Sequence, residues 1–153
     1  MKVLADVRRL PSSRRHPHFA GPALAASLDE AGIEYVHLPE LGGLREARPD
    51  SPHTAFREPM FRAYADHMRS DEFAAGVARL LALGERATTA AMCAEADPAH
   101  CHRSLLADAL LVRGHAVAHI VDTGPARPHT LHRLARNTPD GLVYDASQPR
   151  LAL

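Results

Sequence analysis

Eleven residues past the midpoint, Cys93-Ala94-Glu95-Ala96-Asp97-Pro98-Ala99-His100-Cys101-His102-Arg103, hold two thiols, two carboxylates, two histidines and a guanidinium. The residue types suit thiol chemistry on an anion: Cys93 as nucleophile or redox thiol, Cys101 as the second thiol, Glu95 and His102 as proton carriers, Arg103 as an anion holder. A helix opening at Asp97 and Pro98 would put Cys101 in its first turn, where unpaired N–H groups and the dipole favour a thiolate or a bound anion. Two other chemistries are weighed against this one. Cys93, Cys101 and His102 are soft metal ligands, but the spacing fits no usual zinc pattern and a closed site wants four. A phosphatase loop needs Arg six positions after Cys, where this chain has Ala99 and Ala107. The bland alternative is packing, since free Cys is often a small core hydrophobe. Arg103 also lies on one stripe with Leu106 and Leu110.

A second segment, Asp6-Val7-Arg8-Arg9-Leu10-Pro11-Ser12-Ser13-Arg14-Arg15, has no acidic residue between Asp6 and Asp29. Arg8, Arg14 and the Ser13 hydroxyl are the candidate anion-binding groups, because guanidinium forks take phosphate or carboxylate in two-point fashion. Asp6, His37 and Glu40 are supporting residues. A solvated basic loop is the plain alternative for Arg9 and Arg15, and a satisfied core histidine for His37.

These groups meet only if particular elements carry them. Short apolar runs at Val3 to Val7, Ile33 to Leu38, Ala87 to Cys93 and His115 to Val121 predict strands. Helical spacing alternates with them over Gly21 to Ala31, Phe61 to Met68, Phe73 to Gly84 and Cys101 to Val112. The alternation predicts an α/β fold, a three-layer sandwich with a mainly parallel sheet of about four or five strands. Carboxyl ends of parallel strands share one rim, so the Arg8/Arg14 loop and the Cys93/Cys101 loop are expected to meet there around an anionic ligand. Pro39 to Pro59 is punctuated by Gly and Pro and predicts a long loop. The tail from Thr123 shows regular spacing only at Thr130 to Arg136 and Gly141 to Tyr144.

At 153 residues the chain predicts a single α/β domain, 1–153, with 46% hydrophobic and 24% charged residues, a globular balance. Eighteen basic and eighteen acidic residues cancel, so no global field steers it toward nucleic acid or membrane. The apolar runs are too short for a membrane span. Lys2, Asp6, Arg8 and Arg9 interrupt the apolar middle that a secretory signal needs, so a cytoplasmic location is expected. Two cysteines are too few for a disulfide scaffold.

The motifs resemble one family. Asp6-Val7-Arg8 with Pro11, Ser13-Arg14 and Phe19 is followed by Gly32-Ile33, Tyr35, His37-Leu38 and Leu41-Gly42-Gly43. Met92-Cys93-Ala94-Glu95 and Cys101-His102-Arg103 then complete the order. From about Val3 to His119 this is similar to the domain of unknown function 488. The resemblance implies an α/β sandwich with characteristic Cys, Glu, His and Arg positions, and no established activity. Similar members open with an extra strand and helix. This chain starts at the second strand, which would expose a sheet edge and favour a homodimer. The expectation is therefore a thiol-dependent enzyme acting on a small anionic, phosphorylated or nucleotide-like substrate, with no cofactor. A non-catalytic nucleotide or nucleic-acid binding module, or a metal-binding protein, is the alternative.

Overall fold

Val3 and Ala5 are buried in β1 (Val3–Asp6), and Val7 continues the apolar run beyond it. A strand this apolar belongs at the centre of a sheet. In the computed structural model, which describes residues 1–146, it pairs in parallel with β2 (Glu34–His37) on one side and β3 (Thr89–Met92) on the other. The register sets Asp6 opposite His37 and opposite Met92, so the three strands end level. Backbone bonds carry the pairing one residue further, from Leu38 N to the Asp6 carbonyl and from Val7 N to the Met92 carbonyl. The expected domain ran to residue 153; residues 147–153 lie outside the described residues.

The chain divides into two compact units, Met1–Gly43 with Asp71–Glu95, and Leu44–Ser70 with Ala96–Leu153. In the first, α1 (Gly21–Glu30) links β1 to β2, with Pro22 in its first turn and Gly32 at φ 72° just past its end. The helix α3 (Asp71–Arg86) precedes β3 and buries Phe73, Val77 and Leu80. It runs through Gly84, where the sequence predicted a stop. Arg86 extends the last turn and donates to both Glu34 oxygens at 2.8 Å.

In the second unit, α2 (Pro59–His67) begins at Pro59, and Ala63, Tyr64 and Ala65 are buried. The helix α4 (Arg103–Leu111) buries Leu105, Leu106, Ala107 and Ala109. Two short antiparallel ribbons follow, β4 (Ala118–His119) with β5 (Arg127–Pro128), and β6 (Ala135–Thr138) with β7 (Gly141–Tyr144).

Three expectations are corrected. The parallel sheet has three strands among the described residues, not four or five. The run His115 to Val121 yields only β4, whose partner contains Pro128; proline has no N–H to extend a ladder. Nor does Asp97 open α4. It caps a separate turn of 3-10 helix, Pro98–His100, by accepting from Ala99 N at 2.9 Å. Cys101 is extended at φ −134°, ψ 145°, and α4 begins only at Arg103. Among the described residues no helix is long and apolar enough to cross a membrane.

Gly42 lies where the connection after β2 passes the chain leaving β1. A Cβ there would stand 2.5 Å from the Arg9 backbone N, so nothing larger than hydrogen fits. Gly42→Ala is expected to destabilise the protein by about 1–3 kcal/mol, the usual range for overpacking, read as a lower urea midpoint with an unchanged slope.

Candidate functional site

In the first unit the candidate residues collect where the parallel strands end. Asp6, the last residue of β1, is fully buried, and a buried carboxylate needs donors. Arg8, two residues on, supplies them: Nε donates to Oδ1 at 2.9 Å, NH2 to Oδ2 at 2.7 Å, and the backbone N to Oδ1 at 3.1 Å. Tyr35 OH donates to Oδ2 at 2.6 Å from β2. Burial pushes the Asp6 carboxyl up, but the bonds from Arg8 and Tyr35 outweigh it and hold the group below the ordinary range. The same pairing, after burial, pushes Tyr35 up to about 12. His37 Nε2 donates to the Arg8 carbonyl at 2.7 Å. Arg8 therefore has one face of its guanidinium locked on Asp6.

Cys93, partly exposed, and Glu95, exposed, follow β3 at this same edge. Arg14 is exposed, and Ser13 Oγ accepts from His16 N at 3.1 Å, closing a local turn. Glu40 is paired with Arg79 of α3 at 2.6 Å.

In the second unit the extended backbone at Cys101 turns its sulfur onto the start of α4. Sγ accepts from Arg103 N at 3.4 Å and from Arg103 Nε at 3.3 Å, and His102 Nδ1 lies 3.7 Å away. The sulfur thus occupies the place of a helix-capping acceptor. Cys101 is 1% exposed, and the His102 ring lies against Tyr64 of α2 with centroids 4.8 Å apart. Beside the first turn of α4 is a pocket of about 230 Å³ lined by Phe56, Arg57, Glu58, Phe61, Ser104, Leu105 and His132, with Ala55 and Ala99.

The sequence reading missed a second buried carboxylate. Asp108 of α4 is 1% exposed and accepts from His129 Nε2 at 2.7 Å, Tyr144 OH at 2.8 Å and His132 N at 3.1 Å. Tyr144 is driven well above its ordinary value by burial and then by the Asp108 charge. Its backbone N donates to Nδ1 of the fully buried His53, which ties the long loop to β7. A helix-facing Asp with apolar neighbours, Leu105 and Ala109, was the available signal; its partners lie 21 to 36 positions away.

Removing the Asp6 carboxylate leaves Arg8 buried without its counter-charge. Asp6→Ala is expected to cost about 3–5 kcal/mol in denaturant melts. Because the folded carboxyl is held below its unfolded value near 4, its stabilisation is full above about pH 4 and is lost as pH falls through the folded value. An Asp6→Asn variant should lack that part of the acid slope of stability.

No curated protein and no solved structure matches the chain. A family model does, over residues 1–110, which takes in Asp6 to Arg103 and the whole of α3 and β3. The chain therefore belongs to the family described as Domain of unknown function DUF488.

Proposed function

We propose that the protein is a thiol-dependent enzyme acting on a small anionic substrate. The observation that carries this is the convergence of two Arg103 N–H groups on Cys101 Sγ at the start of α4, with an imidazole alongside. A thiolate accepts such bonds far better than a thiol does, and the helix terminus favours the same charge. In this reading Cys101 is the activated thiol, Arg103 meets the anion and His102 carries protons.

The first unit supports the same chemistry from its strand ends. The chain leaves β1 toward β2 and comes back to β3 on the opposite side, and ligands of open parallel sheets collect beyond the carboxyl ends at such a reversal. Right-handed connections in that order would set α1 and α3 on opposite faces, the three-layer arrangement expected from the sequence. Asp6 and Arg8 form the fixed floor of this edge, with Cys93 as the partly exposed thiol, Glu95 as proton carrier, and Ser13 and Arg14 as anion contacts. His37 and Glu40 hold its walls through Arg8 and Arg79.

A second reading, single-stranded nucleic-acid binding, has one observation of its own. His16, His18 and Phe19 are exposed and in ring contact, His16 edge-on to His18 and His18 tilted against Phe19 with centroids 4.4 Å apart, beside exposed Arg14 and Arg15. Aromatic faces with basic neighbours suit bases and phosphates. Zinc has less support within either unit, since Cys101 and His102 are two of the four ligands a closed site needs.

Iodoacetamide labelling followed by peptide mass spectrometry tests the thiol. Cys101 should be alkylated at about pH 6.5, where an unperturbed thiol is almost wholly protonated, and Arg103→Gln should slow it by about tenfold, the effect of one unit in thiol acidity. If neither cysteine of the folded protein is labelled at about pH 7, the thiol reading is wrong. For the second reading, fluorescence anisotropy with a single-stranded oligonucleotide should show affinity falling steeply with salt, and Phe19→Ala should weaken it about tenfold. Salt-independent or absent binding removes that reading.

A further inference from the structure

The three donors on Asp108 are the environment of an ionised carboxylate, which only accepts hydrogen bonds. In its neutral form His129 then carries its hydrogen on Nε2, the atom facing Asp108, and its Nδ1 is bare. That bare nitrogen lies 2.8 Å from His119 Nε2. Two ring nitrogens so close need one hydrogen between them, and beside a neutral His129 it is His119 Nε2 that donates it. His119 therefore keeps its lone pair on Nδ1. The rings cross nearly at right angles, with an interplanar angle of 80°, and both histidines are held by the β4–β5 ribbon: His119 lies in β4, and His129 N donates to the Val117 carbonyl at 2.8 Å.

The row Tyr144–Asp108–His129–His119 thus runs from a fully buried hydroxyl to a ring that is only partly buried. Three of its four members lie beyond residue 110, where the family match ends. From this geometry we infer that Asp108, His129 and His119 form a proton relay whose outer atom, His119 Nδ1, is the general base of the Cys101–Arg103 site. The inference rests on the thiol reading for its substrate, an anion held by Arg103. In the step, the O–H bond of a water or substrate hydroxyl breaks, its electron pair stays on oxygen, and the proton forms a bond to Nδ1. The positive charge gained by the ring is balanced through His129 by Asp108, as in other carboxylate-oriented imidazoles.

The surroundings keep His119 ready to accept. Burial lowers its proton affinity first, then the neighbouring His129 and the Arg103 guanidinium, while Asp108 opposes them. Arg103 opens α4, the helix that also carries Asp108, and donates to the Cys101 sulfur, so the helix that anchors the relay begins at the thiol. Tyr144 and the His132 backbone act as positioning groups, fixing Asp108 from the β7 side and from the segment before β6.

Carbethoxylation by diethyl pyrocarbonate, followed residue by residue in peptides from about pH 5 to 8, reads the proton-free fraction of His119. Iodoacetamide on parallel samples reads Cys101. The wild-type His119 midpoint should fall below the ordinary value of about 6.5. Asp108→Asn removes the balancing charge and should move the midpoint lower still. Tyr144→Phe keeps the charge but removes one donor to it, which makes the relay more basic and should move the midpoint up. If Asp108 were only a packing residue, Asp108→Asn would loosen the site and let His119 rise toward its ordinary value; that result overturns the relay. Should Asp108→Asn fail to fold, Tyr144→Phe decides: a midpoint that does not rise overturns the relay. A His119 that responds as stated while neither cysteine is labelled upholds the relay and removes the thiol reading. Labelled Cys101 with an indifferent His119 does the reverse.

Discussion

A charge can be buried only if donors come with it, and the architecture of both units answers that requirement at one aspartate each. In the first unit Asp6 ends the central strand, and the apolar spine formed by Val3, Ala5 and Val7 leaves its carboxylate no route to water. The donors have to come from the next residues of the chain and from the neighbouring strand, and they do, as Arg8 and Tyr35. This locks the turn after β1 against β2 and carries the Arg8 carbonyl to His37. In the second unit Asp108 imposes the same demand from inside α4, and the tail after α4 folds back to meet it with His129, His132 and Tyr144.

These constraints divide the arginines by role. Arg8 is held on a carboxylate, Arg79 and Arg86 join α3 to the segments around β2, and Arg136 pairs with Asp145 at 2.8 Å. Arg103 differs because its Nε faces sulfur. A guanidinium aimed at a thiol is a chemical arrangement more than a packing one, and the proposed activity is centred there for that reason. The histidines divide in the same manner. His53 is fully buried, its proton affinity lowered by burial, and it serves the long loop, while His119 stands at the outer end of a hydrogen-bonded row.

Much of the first unit was legible along the chain. The apolar runs that became β1, β2 and β3 are short and strongly patterned, and Pro22 and Gly32 bracket α1; Asp6 and Arg8 stood out at a strand end, but Arg8 was expected to face an anionic ligand, and its lock on Asp6 came only from burial. The second unit was much less legible. His115 to Val121 alternates like a strand, yet a proline-bearing partner limits it to two residues. Asp97 and Pro98 look like a helix start, yet they close a short turn, because Cys101 adopts an extended backbone before α4 begins. A hydrogen-bonded row assembled from residues 108, 119, 129 and 144 leaves no local spacing to find.

By itself the sequence determined the parallel strand-helix alternation, the family, and the clustering of thiol, imidazole and guanidinium between Cys93 and Arg103. Those properties are local, set by hydrophobic period, turn residues and short-range spacing. Tertiary structure decided which arginine is locked on a carboxylate and which faces a sulfur, and which histidines line up behind Asp108. Such choices depend on burial, since a polar group removed from water takes whatever partner the fold brings within about 3 Å, however far along the chain that partner lies.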